Sequence, residues 1–301
     1  MLYNPALKKA LVTGTAGRGV NRTWRSVRHL GARRRGARDT KLARLGTDDV
    51  LVVPDIIYPD VVDLFPGTKV IVAVQVIRGL ARAFNRDLVR TPSGELLALS
   101  RCHAFLATSE SCRDAVRTVA GREPLMVPLH VGFDGLDYTE TKKRQIAYMP
   151  RKLPLDASIV TSVLKRAPEL EGYSFQPIHG MKPPQVVEIL KESLIFLSFS
   201  NKEGFGLPAA EAMLAGCLVA GYTGVGGREF MTPDTSFVVP DSDMMGLIEV
   251  VKRTAAAYDA DPAPLDDMRR GASDFIARRY SREGFEQALV KAWASIDASL
   301  N

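Results

Sequence analysis

The apolar run Leu194-Ile-Phe-Leu-Ser-Phe199 constrains this chain more than any other segment. Six residues are too few for a core helix and fit a strand covered on both faces. A polar break follows at Ser200-Asn-Lys202, and then comes Glu203-Gly-Phe-Gly-Leu-Pro-Ala-Ala-Glu211. Pro208 stands where the first turn of a helix tolerates it. Helix formers run from Ala209 to Ala215, and Gly216 stops them. The unit reads as strand, glycine loop, helix. In open α/β sheets, ligands sit outside the carboxyl ends of the strands, against backbone N–H groups and the positive end of a helix. An anionic ligand, best a phosphate ester, belongs there.

Two carboxylates eight positions apart, Glu203 and Glu211, bracket that loop. Carboxylates repel phosphate, but they accept hydrogen bonds from hydroxyl groups well. A sugar nucleotide offers hydroxyls at both ends, on the transferred sugar and on the ribose. Glu203 in the loop suits the sugar, and Glu211, about one turn into the helix, suits the ribose. Taken singly, either acid also reads as a Glu at the positive end of a helix or in a solvated loop. The string taken whole is harder to explain that way.

From Glu203 through Gly216 the sequence is E-G-F-G-L-P-A-A-E-A-M-L-A-G without a gap. It resembles the signature of the retaining GT-B glycosyltransferases, in particular family 4 (group 1). Gly224-Val-Gly-Gly-Arg-Glu229 is similar to that family's G-G-x-x-E loop, and Phe237–Asp241 to the short strand after it. The likeness is strong over residues 145–245 and general over the first 140. It implies an α/β chain of the GT-B type, with two Rossmann-like, doubly wound parallel-sheet lobes, a cleft between them and a shortened first lobe. The expected division is 1–140 for the acceptor side, 141–280 for the nucleotide sugar, and 281–301 for a terminal helix crossing back.

The resemblance also implies an activity, namely retaining transfer of a hexosyl-like group from a nucleoside-diphosphate sugar to a glycan or lipid-linked acceptor, in surface polysaccharide or glycoconjugate synthesis. No metal and no cofactor beyond the donor substrate are expected. Family members carry an Arg and a Lys just past the first strand of the second lobe, aimed at the donor diphosphate. Here Arg151 and Lys152 are adjacent in Met149-Pro-Arg-Lys152, closer than the usual spacing. Preorganised cations there stabilise the charge gathering on the departing diphosphate. The catalytic candidates are therefore Glu203, Arg151 and Lys152, and the donor-binding candidates are Gly204, Phe205, Gly206, Leu207 and Glu211. A non-catalytic GT-B-like protein that binds glycan or nucleotide is the alternative, and a GT-B epimerase or phosphorylase is another.

Composition fits an enzyme able to bury two cores, with 301 residues of which 46% are hydrophobic. No apolar run approaches the ~20 residues of a membrane span, and the first residues lack the apolar centre of a signal peptide. Three cysteines without Cys-x-x-Cys spacing point to reduced thiols, hence the cytoplasm or the inner face of a membrane. Four scattered histidines form no His-x-x-x-His pair.

Strands are expected at Ala10–Thr13, Val50–Val53, Lys69–Val74, Ala104–Ala107 and Leu125–Val127, then at Gln145–Met149, Tyr173–Pro177, Leu194–Phe199, Leu218–Gly221 and Phe237–Val239. Helices are expected at Ser111–Val119, after the cap-like pair Ser109-Glu110, and at Ala157–Arg166, Pro184–Glu192, Pro208–Ala215 and Arg282–Ala298. The polar stretch Asp134–Lys143 reads as the hinge between lobes.

Three features stand apart. The loop Thr13-Gly-Thr-Ala-Gly-Arg-Gly19 fails as a Walker A loop, since Val20-Asn21 replace Lys-Ser/Thr. With Tyr138-x-x-x-Lys142 it imitates a short-chain dehydrogenase, but Leu125 stands where the catalytic Ser of that family belongs. Gly17, Arg18 and Gly19 are instead candidates for an acceptor or diphosphate loop, with plain turn chemistry as the other reading. Family members often have a His after a central first-lobe strand; here Gln75 follows Lys69–Val74, and an amide orients a hydroxyl but cannot act as a general base. His103 and His130 are the alternatives, though a lone His near an apolar strand is more often structural. Finally, residues 22–44 carry eight Arg and one Lys against Asp39 alone. Trp24, Val27 and Leu30 fall at helical spacing. Such a basic helix suits peripheral contact with an anionic membrane, steering of an anionic acceptor, or a solvated outer face. The net charge of +6 reflects mostly this segment, and no nucleic-acid module accompanies it.

Overall fold

The computed structural model describes residues 49–56, 68–76, 79–80, 99 and 102–300. The expected strand at Ala10–Thr13, the loop residues Gly17, Arg18 and Gly19, and the basic stretch 22–44 lie outside them. The chain divides into two units: Met1–Ala107, Arg113–Val127 and Glu286–Asn301 form the first, and Thr108–Cys112 and Pro128–Phe285 the second.

Among the described residues, the first unit holds four parallel strands in sequence order, β1 (Val50–Pro54), β2 (Lys69–Val74), β3 (Cys102–Ala107) and β4 (Leu125–Met126). Five of the six β2 residues are buried, as a central strand of a parallel sheet requires. Helix α1 (Glu110–Ala120) leads from β3 towards β4, the right-handed crossover being the usual way to join parallel neighbours.

The second unit is built on β5 (Lys143–Tyr148), β6 (Ser174–Pro177), β7 (Ser193–Phe199), β8 (Leu218–Tyr222) and β9 (Phe237–Val238), all parallel in the order β6-β5-β7-β8-β9. Helices α2 (Pro154–Leu164), α3 (Pro183–Glu192) and α4 (Leu207–Leu214) alternate with the strands; α5 (Met244–Ala260) and α6 (Ala263–Arg279) follow, and α7 (Arg282–Leu300) passes from this unit into the first at Glu286. All seven residues of β7 are buried. Alternate side chains serve opposite faces: Phe196 joins Ala147 and Val219 in the core shared with α3, α4 and α6, and Ile195 and Leu197 join Ile146 and Leu218 in the core under α2 and α5. Each such Ile, Leu or Phe contributes about 1.5–3 kcal/mol by leaving water. Helices on both faces make this sheet doubly wound.

Every strand expected within the described residues is present, with ends moved by at most two positions. Helix α2 starts three residues earlier than expected, at Pro154, because proline's missing N–H is harmless in a first turn. The segment 134–143 lies within the second unit, where Arg270 holds the Glu140 carboxylate at 2.7 Å and the buried Arg269 donates to the Thr139 carbonyl at 3.0 Å. Among the described residues, no helix is long and apolar enough to cross a membrane.

Candidate functional site

In the order β6-β5-β7-β8-β9 the chain leaves β5, turns to one side for β6 and returns to the other side for β7. The carboxyl ends of β5 and β7 therefore flank the topological switch point, where open parallel sheets bind ligands. Two chain segments emerge there. Residues 149–152 follow β5, and residues 200–211 follow β7.

The structure brings the two segments into contact. Lys152 Nζ lies 2.9 Å from Glu203 Oε1, and Ser200 Oγ donates to Glu203 Oε2 at 3.2 Å. The Glu203 side chain is 17% exposed and that of Lys152 37%, so the pair stands at the mouth of the site, reachable from water. Arg151 is exposed beside it.

Beyond Glu203 the loop tightens into α4. Gly206 has φ of +95°, a left-handed conformation that disfavours any side chain, and it occupies the cap position of the helix. Pro208 sits in the first turn. Leu207 is half-buried. Phe205 is 3% exposed and turned into the core, its ring centroid 5.1 Å from that of Phe230 and 4.8 Å from that of Tyr280. The Phe205 ring is thus an anchor, and only its backbone is left to serve a ligand.

Glu211 faces inward from α4 and is 7% exposed. Burial first, and the neighbouring Glu203 carboxylate second, push its carboxyl up to about 8. Near neutral pH Glu211 therefore holds its proton much of the time and presents both a donor and an acceptor. Glu203 and Glu211 have the same side chain in contrasting surroundings, one paired with a cation and one desolvated.

A third segment, which the sequence reading took only as a helix start, completes the loop's support. Residues 108–112 belong to the second unit. The Ser109 hydroxyl donates to the Gly204 carbonyl at 2.7 Å, and the Ser111 hydroxyl to the same oxygen at 3.1 Å. Glu229, in the G-G-x-x-E loop, accepts the Glu110 N–H at 2.7 Å and the Ser111 N–H at 3.4 Å. A carboxylate on the first N–H groups of a helix is a favourable placement. Burial is the main reason the Glu229 carboxyl is raised above its ordinary value. Gly226 N–H donates to the Glu203 carbonyl at 3.0 Å.

The remaining candidates belong to other segments of the chain. Gln75 follows β2 in the first unit, where its N–H donates to Asp55 Oδ1 at 3.2 Å. Asp55 is 2% exposed, Oδ2 is buried with no hydrogen-bond partner among the described residues, and burial raises its carboxyl to about 6. His103 stands near the amino end of β3, the opposite edge from a ligand site, and bonds Ser299 at 2.9 Å. His130 Nδ1 lies 3.3 Å from the Tyr280 carbonyl oxygen. Tyr138 and Lys142 are structural: Arg269 and Arg270 lie over the Tyr138 ring at 5.3 and 5.0 Å, and the Lys142 ammonium donates to the Leu190, Lys191 and Ala215 carbonyls. Gly17, Arg18 and Gly19 are outside the described residues.

No protein-family model matches the chain. Over 81 residues it is 33% identical to an alpha-1,6-glucosyltransferase of Actinobacillus pleuropneumoniae serotype 7 (strain AP76), a match covering 27% of this chain and 24% of that protein. Solved structures resemble it over more of its length. A mutant of TarM from S. aureus, in complex with Fondaparinux, alpha-GlcNAc-glycerol and UDP, is 11% identical with a TM-score of 0.61, covering 83% of this chain and 55% of that one. Sucrose-phosphate synthase from Thermosynechococcus elongatus is 13% identical with a TM-score of 0.61, covering 83% and 74%. HepE from Anabaena, in complex with UDP and glucose, is 14% identical with a TM-score of 0.55, covering 76% and 72%. The match thus spans about a quarter of the curated relative and about half of TarM. The fold is α/β, two parallel sheets with flanking helices, of the GT-B kind found in these neighbours.

Proposed function

We propose that this chain is a nucleotide-sugar-dependent glycosyltransferase whose donor binds at the carboxyl ends of β5 and β7. The observation that carries the reading is the Lys152–Glu203 pair at the switch point, 2.9 Å apart, with Glu211 buried behind it. A cation for a diphosphate, a carboxylate for sugar hydroxyls and a hydrogen-bonding acid for a ribose stand together. That is the set a sugar nucleotide needs. Several of the similar structures were solved with UDP, which supports a uridine nucleotide as the first donor to test.

In this reading Arg151 and Lys152 hold the diphosphate, assisted by the backbone at the start of α4. Glu203 accepts from hydroxyls of the transferred sugar, and Glu211 meets the ribose. The bond from the anomeric carbon to the β-phosphate oxygen breaks as the acceptor oxygen bonds to that carbon from the same face. The hydroxyl proton passes to the leaving phosphate. Configuration is retained, and neither a metal nor a separate cofactor enters the scheme. The acceptor is a glycan or lipid-linked carrier in surface polysaccharide or glycoconjugate synthesis, taken up by the acceptor-side residues 1–140. Peripheral contact with an anionic membrane is assigned to residues 22–44. The roles expected of 1–140, 141–280 and 281–301 stay part of the same proposal, with residues 108–112 and 128–140 carried by the second unit.

A thermal-shift panel of UDP, GDP, ADP, dTDP and CDP, each with its sugars, tests the reading directly. One nucleoside diphosphate raising the transition by several degrees is expected. No shift with any of them would sink the assignment.

A further inference from the structure

The start of helix α1 sits against the glycine loop, and its hydrogen bonds do two things at once. Ser109 Oγ accepts the Cys112 N–H at 3.1 Å, an N-cap bond three residues into the helix. The same hydroxyl donates its only proton to the Gly204 carbonyl at 2.7 Å. Ser109 is 1% exposed, so both bonds are shielded from water. Ser111 adds a second donor to that carbonyl, and its Oγ lies 3.0 Å from that of Ser109. From the other side Gly226 crosses the loop so closely that a Cβ there would meet the Gly204 oxygen at 2.1 Å.

The Gly204–Phe205 peptide is trans, so its C=O and N–H point in opposite directions. Fixing the carbonyl on Ser109 and Ser111 fixes the Phe205 N–H on the far side of the peptide. It also limits rotation of the residue before it, Glu203, whose own carbonyl is taken by Gly226. Resting on the donor reading above, we propose that Ser109 and Ser111 are positioning residues for the transferred sugar. Their hydroxyls lock the Gly204 peptide and so aim the Glu203 carboxylate and the Phe205 N–H at the sugar. The nucleotide half of the donor is held chiefly by the side chains of Arg151, Lys152 and Glu211, so it depends on the two serines much less.

The test separates this inference from the functional reading. Ser109→Ala and Ser111→Ala variants are compared with the wild type by amide hydrogen exchange without ligand, by calorimetric titration with UDP, and by turnover of UDP-sugars. In Ser109→Ala, exchange within 203–207 is expected to speed up tenfold or more while β7 stays protected. UDP affinity should hold within threefold, and kcat should fall ten- to a hundredfold. Ser111→Ala should move in the same direction by less. Ser109→Thr, which keeps a hydroxyl, should restore most of kcat. Unchanged exchange in both alanine variants would overturn the clamp even if the wild type is active. Equal losses of UDP affinity and kcat would reduce Ser109 to a structural cap and overturn the positioning role. If the wild type binds no nucleotide, the donor reading falls and the sugar-placing role falls with it.

Discussion

Lys152 Nζ reaches across from the end of β5 to Glu203 Oε1, 2.9 Å away past the end of β7. The ion pair joins two strands that neighbour each other in the sheet but lie some fifty positions apart in the chain. Neither partner is deeply buried, so the pair adds at most about 1 kcal/mol to the fold. In the proposed function its significance is chemical, since a ligand that brings both phosphate and hydroxyls would engage both partners.

Replacing Lys152 by alanine should therefore leave the melting temperature within about 2 °C of the wild type. Nucleoside diphosphate affinity should fall at least tenfold, and turnover by roughly 100–1,000-fold, the usual loss when one preorganised electrostatic group is removed. Calorimetry and initial rates check both. Arg151→Ala should weaken binding in the same direction. Unchanged affinity in both variants would remove these cations from the site.

Glu211→Gln carries a pH signature. The carboxyl is raised from an ordinary 4.5 to about 8 in the folded chain, so the folded state binds more protons than the unfolded state between those values. Wild-type stability should fall as pH rises from about 4.5 through 8. The Gln variant, uncharged throughout, should lack that fall. Each tenfold difference in proton affinity corresponds to about 1.4 kcal/mol. Melting temperatures should thus be similar at pH 4.5, with the variant ahead by several degrees at pH 8.5. Parallel profiles would contradict the burial of this acid.

Gly226→Ala should act on the loop rather than on the core. The added methyl would come within 2.1 Å of the Gly204 oxygen, and that neighbour is backbone. We expect a loss of about 1–3 kcal/mol from overpacking. Turnover should fall further than this loss of stability explains, measured at a temperature where the variant remains folded.

Phe205→Ala, in contrast, should be mainly a stability change. Its ring packs edge-on against Tyr280 and tilted against Phe230, and deleting a buried Phe costs roughly 3–5 kcal/mol. Chemical denaturation checks the magnitude. Phe205→Leu should recover most of it.

Local signals made much of this legible in the sequence. The strand–loop–helix order at 194–216 appears as read, because β7 is apolar on both faces and Pro208 and the loop glycines punctuate the residues after it. Helices α5 and α6 are not legible in the sequence pattern. In α6 charge is spread along most of the length, and the inward face is short, resting on Ala272 and Ile276 together with the buried Arg269. Arg269 is tolerable there because Asp266 and three backbone carbonyls take up its donors; sequence patterning counts it as a surface charge. In the site, Glu203, Glu211 and Lys152 stood out through residue type and position. Ser109 and Ser111 did not. A serine before a helix is explained by capping alone, and nothing local announces a partner 95 positions downstream.

Strand β7, with all seven residues shielded, has one more consequence. Glu203 is only four positions past its last residue, so the carboxylate proposed to meet the sugar is mounted beside a strand shielded on both faces, which opens with the unit rather than by itself. Heat should then leave little room for an inactive but still folded species. Loss of activity and loss of the second unit's ellipticity should trace the same curve on warming.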